Sequence, residues 1–341
     1  MIKTGIIGYG KMGQIRHEAI SASGLASVAG INDAQATINK NGIRFFATPE
    51  ELIADASIDA VFICTPNHLN KPLTVLALQS GKHVFCEKPP AFTAAEMEEV
   101  IQAEKASGKK LMYGFNHRHH DSVIKLNEMI ASGVYGKVLW MRGRYGKSVD
   151  KSFYSNWRSK KDQAGGGILI DQGIHMLDLM LMLAGDFDDV HAFVSNLYWK
   201  LEVEDNVFAI LRNKRGVVAS LHSTMTQWRH LFSLEIFLEQ GYIVINGLLT
   251  SSGTYGRETM TIAKNRTTAP AATWNDEEHL HFDINNSWNY EVQHFMNAIK
   301  NNGAVSVGTS QDALKLMKII DKIYEHPIHA RSEHEREGMA V

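Results

Sequence analysis

The chain has 341 residues, enough for about two domains at roughly 150 residues each. Hydrophobic residues make up 44% and charged residues 21%, which excludes a disordered chain. With 35 basic and 37 acidic residues the net charge is -2, so no broad basic field is available for a phosphate polymer and nucleic acid is not an expected partner.

Residues 1–13 read as a strand and a glycine turn, which leaves no expectation of a signal peptide. Up to about residue 120, short apolar runs (2–7, 26–31, 60–64, 83–86 and 111–113) alternate with helical spacing. In 68–80, Leu69, Leu73, Leu76 and Ala77 share one face and Gly81 is the stop; in 94–107, Thr93 with Glu96 three residues on is a capping-box pattern. This alternation predicts an α/β domain with a parallel sheet covered on both faces. From about residue 135 longer β-type runs follow at 137–145, 190–199, 207–211, 217–222, 232–238 and 242–245, with hairpin signals such as 213–216, and predict a mostly antiparallel sheet. One strongly apolar helix, 168–184, is inserted near its start; Asp171, His175 and Asp178 interrupt it and make it a poor membrane span. Residues 265–278, with Pro270, read as a surface loop, 287–301 and 310–325 as amphipathic helices, and the tail from His326 as frayed. Cys64 and Cys86 are too few for a disulfide framework, and a reducing cytoplasm fits.

Gly8-Tyr9-Gly10-Lys11-Met12-Gly13 follows an apolar run and precedes a helix at 12–22. The next run ends at Asn32-Asp33, and Asp33 lies twenty residues after Gly13, where an acid accepts hydrogen bonds from an adenosine ribose. Glycines admit a pyrophosphate to the backbone, and the helix N-terminus offers its amides. Asp33 favours a free 2′-hydroxyl and hence NAD. If Asn32 ends the strand and Asp33 turns away, Lys40 and Arg44 are placed to meet the 2′-phosphate of NADP, so both cofactors stay open.

Glu87-Lys88-Pro89-Pro90 follows the run 83–86, at the strand end where a parallel sheet binds ligands. The prolines restrict the backbone after Lys88, and a cis bond at Lys88–Pro89 is one option. In the apolar helix Asp171, His175 and Asp178 stand at i, i+4 and i+7, one stripe; burying them is costly unless they are paired or used. The readings are a satisfied core triad, a proton-handling pair, or an i, i+4 metal pair completed from His117, His119 and His120; no metal is assigned.

These three motifs in this order resemble the glucose–fructose oxidoreductase / inositol dehydrogenase / rhizopine-catabolism (Gfo/Idh/MocA) family. Cys64-Thr65-Pro66-Asn67-His68-Leu69, Gly81-Lys82-His83-Val84, Cys86-Glu87-Lys88-Pro89 and Trp157-Arg158 leading into Gly165-Gly166-Gly167 carry the resemblance. It implies a Rossmann NAD(P)-binding domain over 1–120 and an α+β domain over 121–341 with a large open sheet, the helices of about 287–325 packing back on the first domain. It implies catalysis by Lys88, Asp171 and His175, and cofactor contacts from Gly8, Tyr9, Gly10, Lys11, Met12, Gly13, Asn32, Asp33, Cys64, Thr65, Pro66, Asn67, His68, Glu87, Lys88 and Pro89. Substrate contacts fall to Lys88, Asn116, Trp157, Arg158, Asp171 and His175. Asn70 is a departure, since the family often carries histidine there.

The implied activity is hydride transfer between NAD (or NADP) and a carbinol or ketone carbon of a sugar, polyol or nucleotide-sugar. His175 is the expected base, Asp171 orients it or binds a hydroxyl, and Lys88 stabilises the alkoxide and lowers the His175 pKa by like charge. Arg142, Arg144, Lys147, Arg158, Lys160 and Lys161 are candidates for an anionic group, and Tyr154, Trp157, Trp228 and Trp288 for stacking on a sugar ring. Two rivals are an NAD-dependent glycosidase of this fold and a non-catalytic dinucleotide-binding regulator. A homodimer or homotetramer through the second sheet is expected, without nucleic acid or membrane.

Overall fold

The computed structural model describes residues 1–34, 43–266 and 268–330. The described residues form two compact units, Met1–His119 with Asn286–Lys318, and His120–Asn285 with the residues from Ile319 on.

The first unit opens with β1 (Ile2–Ile7), α1 (Lys11–Ser23), β2 (Ala26–Asn32), β3 (Arg44–Phe45), α2 (Pro49–Ala54), β4 (Ala60–Ile63), α3 (Asn70–Gln79), β5 (His83–Glu87), α4 (Ala94–Ser107) and β6 (Leu111–Gly114). The apolar runs become strands of one parallel sheet, ordered β3-β2-β1-β4-β5-β6, as the alternation predicts. All four residues of β4 are fully buried, which is why this strand reads as a continuous apolar run. Thr93 caps α4 by accepting from the Glu96 amide at 3.2 Å. The short elements β3 and α2 are not legible in advance: two and six residues carry no measurable period.

The second unit contains α5 (Asp121–Ala131), β7 (Val138–Ser148), α6 (Lys161–Ala164), a π-turn (Leu169–Gly173) running into α7 (Ile174–Ala184), β8 (Asp189–Asn196), β9 (Asn206–Arg212), β10 (Val218–Thr224), β11 (Thr226–Leu238), β12 (Gly241–Asn246), β13 (Glu258–Lys264) and β14 (Glu278–Phe282). After these come α8 (Ser287–Lys300), α9 (Ser310–Tyr324) and β15 (Ile328–Ala330). The second sheet runs β14-β13-β12-β11-β7-β10-β9-β8-β15, antiparallel except for β7 with β10 and β8 with β15.

Register separates its two faces. Ala192, Ala209, Leu221, Leu234, Ile245 and Met260 lie in one cross-strand row and are all buried, and α7 packs on this side of β7. The next row places Phe193 opposite Phe208, both exposed, at 70% and 48%. Strand β13 escapes sequence reading because its inward residues include a carboxylate. Glu258 is buried, and His120 Nδ1 (2.8 Å), Ser122 Oγ (2.5 Å) and the Leu249 amide (3.0 Å) satisfy it. The expected frayed tail is instead strand β15 at 328–330, since the edge of β8 offers it backbone partners; the residues beyond lie outside those described.

In the first unit α8 packs on α1, and Val292, Phe295 and Met296 join Ile6, Phe62 and Phe85 in one core cluster. Trp288, half-buried, packs against that cluster. The apolar stretch 161–184 is long enough to cross a membrane by composition, yet 83% of its most apolar window is buried in protein.

Candidate active site

The glycine turn is built by three different constraints. Gly8 sits at φ +84°, a left-handed conformation that disfavours any side chain. Gly13, in the first turn of α1, has no room: an added Cβ would lie 2.1 Å from the Gly8 carbonyl oxygen. Gly10 is the opposite case, with nothing within 4 Å of an added Cβ. It caps α1 without a side-chain hydrogen bond, so the first-turn amides remain for an anion. The Asp33 carboxylate accepts from the Tyr9 amide at 2.6 Å, which fastens the acid to the glycine turn. Asn32 ends β2 as anticipated, but its buried side chain donates to the Phe46 carbonyl at 3.0 Å, and Asp33 is not turned away. Arg44 pairs with Asp55 at 2.7 Å and lies over the Phe46 ring; Lys40 is outside the described residues. Open space at Gly10, helix amides and a fixed acid fit a dinucleotide with its pyrophosphate at the turn.

Lys11 is exposed and Met12 half-buried at the start of α1, while the buried Tyr9 bonds His17 through its hydroxyl at 2.8 Å. Cys64, Thr65, Pro66, Asn67 and the exposed His68 follow β4, the last two in a 3-10 turn ahead of α3. Lys88 follows β5, half-buried, with the Lys88–Pro89 peptide cis. Behind it the Glu87 carboxylate is turned into the protein: Arg16 Nε meets it at 2.7 Å, and Arg16 also pairs with Glu291 at 2.6 Å and lies 4.4 Å over the Phe85 ring. Arg16 is fully buried and nothing in its local sequence marks it, since its partners lie in β5 and α8. Asn116 stands in a 3-10 turn after β6 and donates to Ser287 Oγ at 3.5 Å.

In the second unit the expected i, i+4, i+7 stripe on one continuous α-helix is corrected. Asp171 lies in the π-turn Leu169–Gly173, whose wider loop changes its phase relative to His175 and Asp178 in α7. The turn is held from outside: the buried Glu204 carboxylate accepts from the Gly167 amide (2.8 Å), the Leu169 amide (3.0 Å) and the Tyr324 hydroxyl (2.9 Å). Burial pushes the Glu204 carboxyl up from its usual range. Asp171 meets two cations, the Lys147 ammonium in a short ion pair and Arg158 Nε at 3.4 Å. Lys147 also lies 4.6 Å over the Phe153 ring, and Arg158 4.3 Å over Trp157. His175 and Asp178 are buried, and the Tyr145 ring stands 6.3 Å from the imidazole.

Of the six basic residues weighed for an anionic group, Lys147 and Arg158 therefore serve Asp171, while Arg142 pairs with Glu235 (2.6 Å) and Lys160 with Glu202 (2.9 Å). Two tyrosines near Asp171 were not foreseen. Tyr255 donates to Gln172 Oε1 at 3.3 Å and its ring lies 5.3 Å from Tyr145. Burial, with the Asp171 charge adding to it, pushes the Tyr255 phenol up, so it stays a donor at neutral pH. No local pattern links them, because Tyr145 lies in β7 and Tyr255 in the connection between β12 and β13, far apart in sequence. His120, weighed as a metal ligand, is committed to Glu258.

Residues 2–115 match the model of an oxidoreductase family with an NAD-binding Rossmann fold, and residues 123–244 match the GFO/IDH/MocA C-terminal domain. Levoglucosan dehydrogenase of Pseudarthrobacter phenanthrenivorans is 30% identical over 224 residues, 57% of each chain. The 1,5-anhydro-D-fructose reductase of Ensifer adhaerens is 29% identical over 280 residues, 81% of this chain and 79% of that one. The chain thus spans little more than half of the first relative's length and four-fifths of the second's. A solved levoglucosan dehydrogenase in complex with NADH and levoglucosan superposes with a TM-score of 0.84 at 25% identity, covering 95% of this chain and 96% of that one. The two matches together cover more than half of the residues and both belong to one family, and the chain belongs to the Gfo/Idh/MocA family of NAD-binding oxidoreductases.

Proposed function

We propose that the chain is an NAD(P)-dependent dehydrogenase or ketoreductase acting on a carbinol or ketone carbon of a sugar or polyol. One observation carries the reading: β1, β4 and β5 are neighbours in the first sheet, and their C-terminal ends present the glycine turn, Thr65-Pro66-Asn67 and Lys88 side by side. That is the edge where open parallel sheets bind ligands. When bound, the nicotinamide takes or gives the hydride. His175 accepts the proton of the hydroxyl being oxidised, and Lys88 donates to the oxygen as charge develops on it. Asp171, steadied by Lys147 and Arg158, accepts from a neighbouring hydroxyl. Run backwards, the same groups reduce a ketone.

Asp33 beside the glycine turn supports NAD over NADP, since a second anion at the ribose would face its carboxylate. A neutral sugar ring suits a site in which Lys147 and Arg158 are already taken up by Asp171, Arg142 by Glu235 and Lys160 by Glu202. Relatives named for levoglucosan, 1,5-anhydro-D-fructose and myo-inositol support the same class. Exposed Phe193, Phe208 and Ile210 on one face of the second sheet support a homodimer or homotetramer, and two free thiols support a cytoplasmic setting.

The test is nucleotide reduction with a panel of levoglucosan, 1,5-anhydroglucitol, methyl glucosides and myo-inositol. Lys88→Ala and His175→Ala are each expected to lower kcat by about 10²–10⁴ while NADH still binds. Near-normal turnover in both variants refutes the assignment. Glycoside cleavage without net NADH formation would instead mark the glycosidase rival, and dinucleotide binding with no turnover on the panel the regulator.

A further inference from the structure

We propose that Asn70 is a positioning residue for Lys88, a role that rests on the reading of Lys88 as the group that stabilises the alkoxide. Asn70 is the first residue of α3 and fully buried. Its Nδ2 donates to the carbonyl of Glu87 at 3.1 Å and to the carbonyl of Pro89 at 2.8 Å, the two residues that flank Lys88. Its Oδ1 accepts from Thr65 Oγ1 at 3.2 Å. Both protons and the oxygen of the amide are therefore engaged, and one side chain ties the strand end of β4 to the strand end of β5.

The need for such a clamp follows from the sequence of the turn. Pro89 and Pro90 carry no N–H, so the segment supplies few donors of its own, and buried carbonyls require a donor from elsewhere. The two N–H groups of one Asn70 amide satisfy both carbonyls at once. Leucine at this position fills similar space and donates nothing; aspartate replaces the donating nitrogen with an oxygen and sets it against two carbonyl oxygens. In either variant the backbone on both sides of Lys88 loses its anchor, and the ammonium loses a fixed position. A displacement of about 1 Å at a reacting group is enough for a loss on the order of 10²-fold.

A double-mutant cycle with Lys88→Ala tests the role, using the panel sugar that the wild type turns over fastest. Asn70→Leu and Asn70→Asp are expected to lower kcat about 10–10²-fold with KM for the sugar changed far less. In the Lys88→Ala background Asn70→Leu is expected to add no further loss, because the group it positions is gone. An equal loss in both backgrounds, or no loss in the single variants, overturns the proposal. Full turnover by Lys88→Ala alone overturns the role of the lysine, and this proposal with it. A second readout needs neither sugar nor cofactor. Acetic anhydride labelling of the apo protein, read by mass spectrometry, should show Lys88 reacting faster in Asn70→Asp while Lys71, one residue along α3, keeps its wild-type rate. Unchanged Lys88 labelling, or a parallel rise at Lys71 that reports loosening of the helix, counts against a clamp on Lys88.

Discussion

Alanine at Gly13 and alanine at Gly10 should have opposite consequences, although the residues are three apart in one motif. At Gly13 the new methyl would meet the Gly8 carbonyl oxygen at 2.1 Å and its carbon at 3.1 Å. Gly8 cannot yield easily, because its left-handed backbone is pinned by a 2.8 Å hydrogen bond from its amide to Asn32. Restoring ordinary contact near ~3.5 Å requires the helix and turn to separate by more than about 1 Å. Overpacking of this kind costs roughly 1–3 kcal/mol. Alanine returns about 1 kcal/mol of helix propensity, which leaves a net loss of about 2 kcal/mol for a clash at the upper end. At about 2–4 °C per kcal/mol for a domain of 150–250 residues, Tm falls by roughly 4–8 °C. At Gly10 the methyl meets nothing. The poorer N-cap costs about 0.5–1 kcal/mol and the stiffer unfolded chain returns about 0.4–1, so Tm stays within about 2 °C. Both variants should weaken NADH at least about tenfold, or ~1.4 kcal/mol, Gly13→Ala by moving the turn and Gly10→Ala by filling the space beside it. Thermal melts with NADH fluorescence titrations measure both quantities. A Gly10→Ala melt lower than that of Gly13→Ala, or normal NADH binding by Gly13→Ala, refutes the reasoning.

Arg16→Met should destabilise the protein by about 3–5 kcal/mol in denaturant melts, because Glu87 and Glu291 are left buried without their cation; adding Glu87→Gln and Glu291→Gln should recover much of the loss. Burial, with Lys109 and Lys110 nearby, lowers the His83 pKa to about 4, and its Nδ1 accepts from the Lys110 amide at 3.0 Å. The unfolded chain therefore binds the extra proton first, so this contribution to stability is complete above pH 6.5 and is lost as pH falls toward about 4. His83→Asn should flatten the pH dependence of Tm across that window, and an unchanged slope would assign it elsewhere. Phe208→Glu, on the exposed face of β9, should shift the mass measured by light scattering toward the monomer without lowering the melting point of the subunit.

The first sheet was legible because its strands are buried on both faces and its turns carry their own chemistry: glycine where φ must be positive, proline after a strand end, threonine at a cap. The acid–histidine stripe was legible for a related reason, since charged residues in an apolar run stand out. Its geometry was not. A π-turn differs from an α-turn by one residue of slack, and here the buried Glu204, thirty-odd residues downstream in sequence, supplies the amide partners that hold the run. The same holds for Arg16, for Lys147 on Asp171 and for Asn70 behind Lys88. Local sequence determined which residues are chemically capable and which segments bend, because propensity and φ restrictions act over a few neighbours. Tertiary structure decided which carboxylate each cation serves and which carbonyls each amide satisfies, because those partners meet only when distant strands come into register.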